Sequence, residues 1–159
     1  MLEIPPALIA LIQDHAFAHY PGECCGLIFG QAGTSRASRC VQLENIADRL
    51  HALDPAAYPR TSRDAFMVNE AKLNRAVREA EAGGERWLAF YHSHIDCAAY
   101  FSDEDKLHAA PDGNVVYPEV VQLVVSCWRE RISDANAFRW DGRDFALVQK
   151  LPEFARARP

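Results

Sequence analysis

No run in this 159-residue chain approaches the ~20 consecutive apolar residues that a membrane-spanning helix needs. The opening stretch, MLEIPPALIALIQDHAF, has no basic cluster ahead of its apolar residues. It is therefore not read as a signal peptide, and a cytoplasmic protein with no membrane partner is expected. Basic residues are in deficit: 17 Lys and Arg stand against 22 Asp and Glu, a net charge of −5. Nucleic acid, whose phosphates want a basic footprint, is not the expected partner. The five cysteines, Cys24, Cys25, Cys40, Cys97 and Cys127, lack CxxC spacing. An odd count without that spacing argues against a disulfide framework and against a four-cysteine zinc site. Most of the five are expected to be small buried residues. Internal repeats, low-complexity tracts and Gly/Ser linkers are also missing. What remains is one domain's length, 49% hydrophobic, enough for a single sizeable core.

The regular segments suggest a mixed α/β layer fold. Pro5 and Pro6 suit a first helical turn, and Leu8, Leu11, Ile12, His15 and Ala16 follow a helical stripe. The pattern predicts a helix over 6–19, stopped by Pro21-Gly22. Cys24 to Phe29 reads as a buried strand, Gly30 to Ser35 as a turn and Arg39 to Leu43 as a second strand. Leu73, Ala76, Val77 and Ala80 share one face of a helix over 69–83, ended by Gly83-Gly84. Arg86 to His92 is strand-like, and Ser102 to Ala110 is a short helix. Val120 to Cys127, Ala137 to Trp140 and Phe145 to Val148 read as strands, the last two joined across Asp141-Gly142, a hairpin signal. Asn45 to Asp64, with two prolines and mixed charges, reads as a loop or insertion. Residues 1–150 are taken as one domain and 151–159 as a frayed tail.

The chemistry concentrates in residues 91–105. His92 and His94 close a strand, where alternate residues point to one side, so both imidazoles can face one point. Ser102 and Asp105 have the Ser-x-x-Asp form that opens a helix. Two His and one carboxylate leave the fourth position of a tetrahedral zinc open, as in a catalytic site. A His-x-His pair alone is more often a polar strand end, and Ser102 with Asp105 alone is most simply a capping box. Asp105 cannot serve the cap and a metal through the same oxygen. A hydrolytic site also needs a base, and Glu23, at the start of the first strand, is a candidate. His15 and His19 have helical zinc-pair spacing, but Ala16 stands where H-E-x-x-H has its Glu, so they read as a polar helix edge. Cys97 lies in the same loop as the candidate ligands and is expected to pack.

His92-Ser93-His94, seven residues, Ser102, two residues and Asp105 resemble the JAMM (MPN+) metalloprotease motif, H-[ST]-H-x7-S-x2-D. Upstream, Glu23-Cys24-Cys25-Gly26-Leu27-Ile28-Phe29-Gly30 is similar to the family's first strand. Downstream, Leu123-Val124-Val125-Ser126 is similar to the strand after its metal helix. The resemblance spans about residues 3–149. It implies a single-domain JAMM/MPN fold, cytidine-deaminase-like, with a mixed β-sheet packed with helices. It implies one zinc per chain held by His92, His94 and Asp105. Glu23 would be general base, then acid, and Ser102 would stabilise the oxyanion. The implied activity is that of a deubiquitinase-like isopeptidase, cleaving after the C-terminal Gly-Gly of a ubiquitin-like protein. Processing of a sulfur-carrier ubiquitin-like protein, or a non-catalytic scaffold of the same fold, are the alternatives. A zinc deaminase would want a Pro-Cys-x-x-Cys pair, which does not occur. The family's frequent prolines around this loop are replaced here by Ile95 and Phe101, which puts loop stiffness in question. Asp96 in the loop is expected to be solvated, Phe101 to face inward, and Asn45 to Asp64 to contact substrate or to be a plain surface loop.

Overall fold

The computed structural model describes residues 1–159. Its elements are α1 (Pro6–His19), β1 (Cys25–Gln31), β2 (Ala37–Leu43), α2 (Ala47–Leu53), α3 (Glu70–Ala82), β3 (Glu85–Ile95) and α4 (Asp103–Ala109). They continue with β4 (Val121–Cys127), β5 (Arg131–Trp140), β6 (Phe145–Leu151) and β7 (Arg156–Ala157). One mixed sheet runs in the order β2-β1-β3-β4-β5-β6, with β7 added to β5. Only β3 and β4 are parallel neighbours. A parallel pair cannot be joined by a tight turn, so residues 96–120 cross over and carry α4. That crossover places a loop and a helix start beyond the C-terminal end of β3, where open α/β sheets bind ligands. No helix is long and apolar enough to cross a membrane.

Strand alternation divides the core. Cys24, Ile28, Tyr91, Leu123 and Val125 lie on one face under Ile9, Ile12 and Ala16 of α1. Cys25, Leu27, Phe29 and Phe90 lie on the other, against Phe66 and Leu73. Phe101, Val124, Phe138 and Phe145 extend the second face toward α4. Each fully buried side chain of this kind contributes about 1.5–3 kcal/mol. Gly26 permits a close approach: a Cβ there would lie 2.5 Å from the Tyr91 ring.

Three expectations are corrected. The stretch 45–64 is not a plain loop, because it holds α2. This helix of seven residues is too short to show a stripe, and Asn45 before it and its own Asp48 hold it in place. The tail is not frayed: Phe154 is fully buried in the core under α1, and β7 pairs with Arg131 and Ile132. Two isolated apolar residues, Leu151 and Phe154, anchor it, too few to show a period. His15 is not on a polar edge. It is buried, with Nδ1 2.8 Å from the Tyr91 hydroxyl.

Burial, and then the charge of His19, push the His15 pKa down from 6.5 to about 4. Between those values the unfolded chain binds a proton that the folded chain does not. Stability is therefore complete above pH 6.5 and falls as pH drops toward 4, by about 3 kcal/mol from this group. Urea unfolding of wild type and His15→Gln across this window should show the acid-side loss reduced in the variant. Parallel pH profiles would remove His15 from the account.

Candidate active site

β3 carries His92 and His94 to the rim of the sheet on the face shared with Phe90. Their Nε2 atoms are 3.2 Å apart. Asp105, in the first turn of α4, faces both: Oδ1 lies 3.2 Å from His92 Nε2 and Oδ2 3.2 Å from His94 Nε2. All three residues are buried. The structure brings the three candidate ligands together, with one donor atom from each lying within 4.8 Å of the others. Ligands bound to a tetrahedral zinc at 2.0–2.1 Å are about 3.3 Å apart, close to the spacing found here. The donor set and its geometry fit a metal ion.

The apparent conflict at Asp105 resolves by division of labour. Oδ2 accepts the Ser102 N–H at 2.8 Å, closing the capping box, while Oδ1 stays free of the cap. Ser102 Oγ accepts the Asp105 N–H at 3.1 Å, so its hydroxyl hydrogen remains free to donate. His94 Nδ1 donates to the Ala98 carbonyl at 3.3 Å, which turns Nε2 toward the shared point. His92 is fully buried, with the Phe66 ring 4.7 Å away centre to centre. Burial lowers its pKa and keeps the imidazole neutral, the form that binds metals. Burial alone would raise the pKa of Asp105, but His92, His94 and the Ser102 side chain outweigh it and hold the carboxyl well below the usual carboxylate range.

The pairing of β1 with β3 brings Glu23 close to the same place. Cys25 pairs with His92, and the Ser93 N–H donates to the Cys24 carbonyl at 3.0 Å. Glu23 lies one residue before this contact, where the chain turns into β1, close enough to the site for the Asp105 charge to act on it. Its side chain is buried. Desolvation, with the nearby charges of Asp105 and Asp64, raises its pKa to about 9, against a smaller opposing effect of Arg60.

Three positioning residues carry no signal in the sequence. Asn45 Nδ2 donates to the carbonyls of Glu23 (2.9 Å) and Ala65 (3.0 Å), while Oδ1 accepts from Ala47 and Met67, both at 3.0 Å. It thereby ties both ends of the 45–64 insertion to Glu23. Ser62, clamped by both oxygens of Asp48 at 2.7 Å, accepts the Glu23 N–H through its carbonyl at 2.6 Å. Arg60 continues the clasp to Glu104 of α4 at 3.0 Å. The insertion therefore braces the site.

The loop without its prolines is braced from below. Ser126 Oγ donates to the Cys97 carbonyl at 2.6 Å, and Asn136 Nδ2 to that of Ala99 at 2.7 Å. Phe101 points inward onto Phe138 and Phe145, as expected. Tyr100 is half exposed, its ring edge-on to His94 at 5.0 Å. Asp96 adopts φ 55°, which Asp tolerates, and accepts the Tyr20 hydroxyl at 3.0 Å. Cys97 is not among the converging donors. An apolar cavity of about 270 Å³ lies beside α4, between Phe66, Leu73, Trp87, Phe90 and Phe101, with Asp105 in its wall.

Comparison with known proteins agrees with this architecture. Residues 5–141 match the family described as prokaryotic homologs of the JAB domain. The chain is 32% identical over 117 residues to proteins named CysO-cysteine peptidase from Mycobacterium tuberculosis and Mycobacterium bovis, covering 73% of this chain and 71% of theirs. A solution structure from Desulfitobacterium hafniense superposes with a TM-score of 0.65 at 19% identity, over 94% of this chain and 90% of that one. A JAB1/MPN domain protein from Archaeoglobus fulgidus gives 0.52 at 14% identity, over 93% and 94%. A sheet that brings a strand-end His pair to a helix-start Asp, and a sequence matched through both, lead to one assignment: the chain belongs to the JAB/MPN-type peptidase family, among the prokaryotic homologs of the JAB domain.

Proposed function

We propose that the protein is a zinc-dependent peptidase that cleaves after the C-terminal Gly-Gly of a ubiquitin-like protein. The observation that carries this reading is the convergence of His92, His94 and Asp105 on one point, with buried Glu23 near enough to feel the Asp105 charge. His92, His94 and Asp105 hold the metal. Zinc, when bound, lowers the pKa of its water to about 7 and polarises a carbonyl. Glu23 takes the proton of the attacking water and returns one to the leaving amine. Glu23 is raised to about 9 without a metal; a cation held by the three donors would oppose that rise and favour the base form at neutral pH. Ser102 donates its free hydroxyl hydrogen to the oxyanion, a contact of the kind worth roughly 3 kcal/mol in the transition state. The CysO-cysteine peptidase relatives favour the sulfur-carrier branch of this activity, in which an amino acid joined to the carrier's terminal glycine is released.

Glycine is expected at the cleaved position, because the ring of Tyr100 stands edge-on to His94 at the rim of the site and would meet a larger side chain there. A ubiquitin-like fusion whose last glycine is changed to Ala and then Val should be cut progressively more slowly, and a chelator should stop all cleavage. Equal rates for the three fusions would reject the Gly-Gly preference. Activity after complete metal removal would reject the mechanism.

A further inference from the structure

The two histidines differ in what stands behind them. His92 Nδ1 is buried without a hydrogen-bond partner, and its ring is held by packing against Phe66. His94 Nδ1 has a partner, the Ala98 carbonyl at 3.3 Å. A ring that binds a metal through Nε2 carries its proton on Nδ1, so the acceptor at Nδ1 fixes both tautomer and ring direction. Of the pair, His94 alone is aimed by a hydrogen bond, and that bond is only as well placed as residue 98.

Ala98 cannot place itself. Residues 96–101 contain no proline, Cys97 is a free thiol, and the alanine side chain makes no hydrogen bond. Its carbonyl also accepts the Tyr100 N–H at 3.0 Å, but that contact lies within the loop. The ties to the sheet belong to its two neighbours. Ser126 Oγ of β4 donates to the Cys97 carbonyl and Asn136 Nδ2 of β5 to the Ala99 carbonyl, so the peptides on both sides of Ala98 are held. Strand pairing puts these side chains on the His94 face: Ser126 is the register partner of His94, and Asn136 that of Val124, two residues before Ser126. Ser126 is fully buried, and Trp128 Nε1 and the Ser133 hydroxyl lie 2.9 and 2.8 Å from its oxygen. A carbonyl can only accept and an indole N–H only donate, so the one hydroxyl hydrogen of Ser126 goes to Cys97.

We propose that Ser126 and Asn136 are positioning residues for His94, acting through the Ala98 carbonyl to set the affinity of the site for its metal. The proposal rests on the metal-site reading above and extends it to two side chains that touch neither metal nor substrate. Loss of either clamp frees the Ala98 peptide and lets the imidazole turn away from the point it shares with His92 and Asp105. The fold itself is carried by the apolar residues of β4 and β5 and stays.

The test measures zinc affinity by chelator competition and the visible absorption of the cobalt(II)-loaded protein, which reports ligand geometry. Ser126→Ala removes one clamp. Asn136→Asp removes the other, keeping the shape but putting an oxygen where the N–H donor stood. Each should weaken zinc binding about 10–100-fold, the range found for partners of metal-bound histidines, and should change the cobalt spectrum. Ser126→Thr keeps the hydroxyl and should retain most of the affinity. Val125→Ala is the control: it deletes buried methyl groups beside Ser126 on the opposite face, so it should lower stability to urea while leaving zinc affinity and spectrum as in the wild type. Asn136 is partly exposed, so Asn136→Asp carries the test if Ser126→Ala does not fold. Wild-type affinity and spectrum in the clamp variants, or an equal loss of affinity in Val125→Ala, overturns the positioning role while the metal site stands. If the wild-type protein binds neither zinc nor cobalt, the metal reading fails and this proposal with it.

Discussion

Glu23→Gln is expected to lower turnover at least ~100-fold while the metal content stays unchanged, the magnitude typical of a removed general acid–base group. Gln keeps the volume and the backbone contacts through which Asn45 and Ser62 hold this position, so only proton transfer is lost. A second consequence separates this from a structural effect. In the metal-free protein the pKa of Glu23 is raised to about 9, chiefly by desolvation. Between 4.5 and 9 the folded chain keeps a proton that the unfolded chain releases, so this group's contribution is full below pH 4.5 and is lost as pH rises through 9. Metal-free Glu23→Gln should lack that alkaline loss, which reaches several kcal/mol at most. Rate assays, elemental analysis and urea unfolding of the metal-free form check the three parts. Loss of metal from the variant would make Glu23 a ligand, and unchanged turnover would remove it from the mechanism.

Removing the three candidate ligands should have the largest effect of all. The wild-type protein is expected to carry about one zinc per chain, and the His92→Ala, His94→Ala, Asp105→Ala triple variant none. The single change Asp105→Asn is the more discriminating one. An amide oxygen at the Oδ2 position can still accept the Ser102 N–H and keep the start of α4, but the anionic donor facing His92 is gone. Partners beyond the first coordination sphere are already worth about 10–100-fold in metal affinity, so a direct ligand should cost at least ~100-fold. Circular dichroism should show the fold retained in Asp105→Asn, and chelator competition should report the lost affinity. Full zinc retention in the triple variant would refute the site.

The legible parts of the molecule were those governed by a short period. α1, α3 and the apolar strands show stripes or runs because one face of each is buried along its whole length. α2, β7 and the first half of β5 show none. α2 is held by Asn45 and Asp48 rather than by an apolar face, and β7 by an edge pairing of two residues. The first half of β5, from Arg131, is masked by polar residues such as Ser133, which bonds to Ser126 of β4, and Asn136, which holds the Ala99 carbonyl of the neighbouring loop.

At the site, the sequence by itself determined the His pair and the capped Asp. Two residues apart on a strand means one face, and Ser-x-x-Asp means a helix start, whatever surrounds them. The tertiary structure alone decided what meets them. Glu23 arrives through the pairing of β1 with β3, Asn45 and Ser62 lock it from an insertion more than twenty residues away, and His15 turns inward to Tyr91. Ser126 and Asn136 reach the loop behind His94 from two later strands. The reason is physical. Local geometry repeats with the backbone and leaves a period in the chain, whereas contacts between distant segments depend on which faces the core brings together, and that leaves no periodic trace in the order of residues.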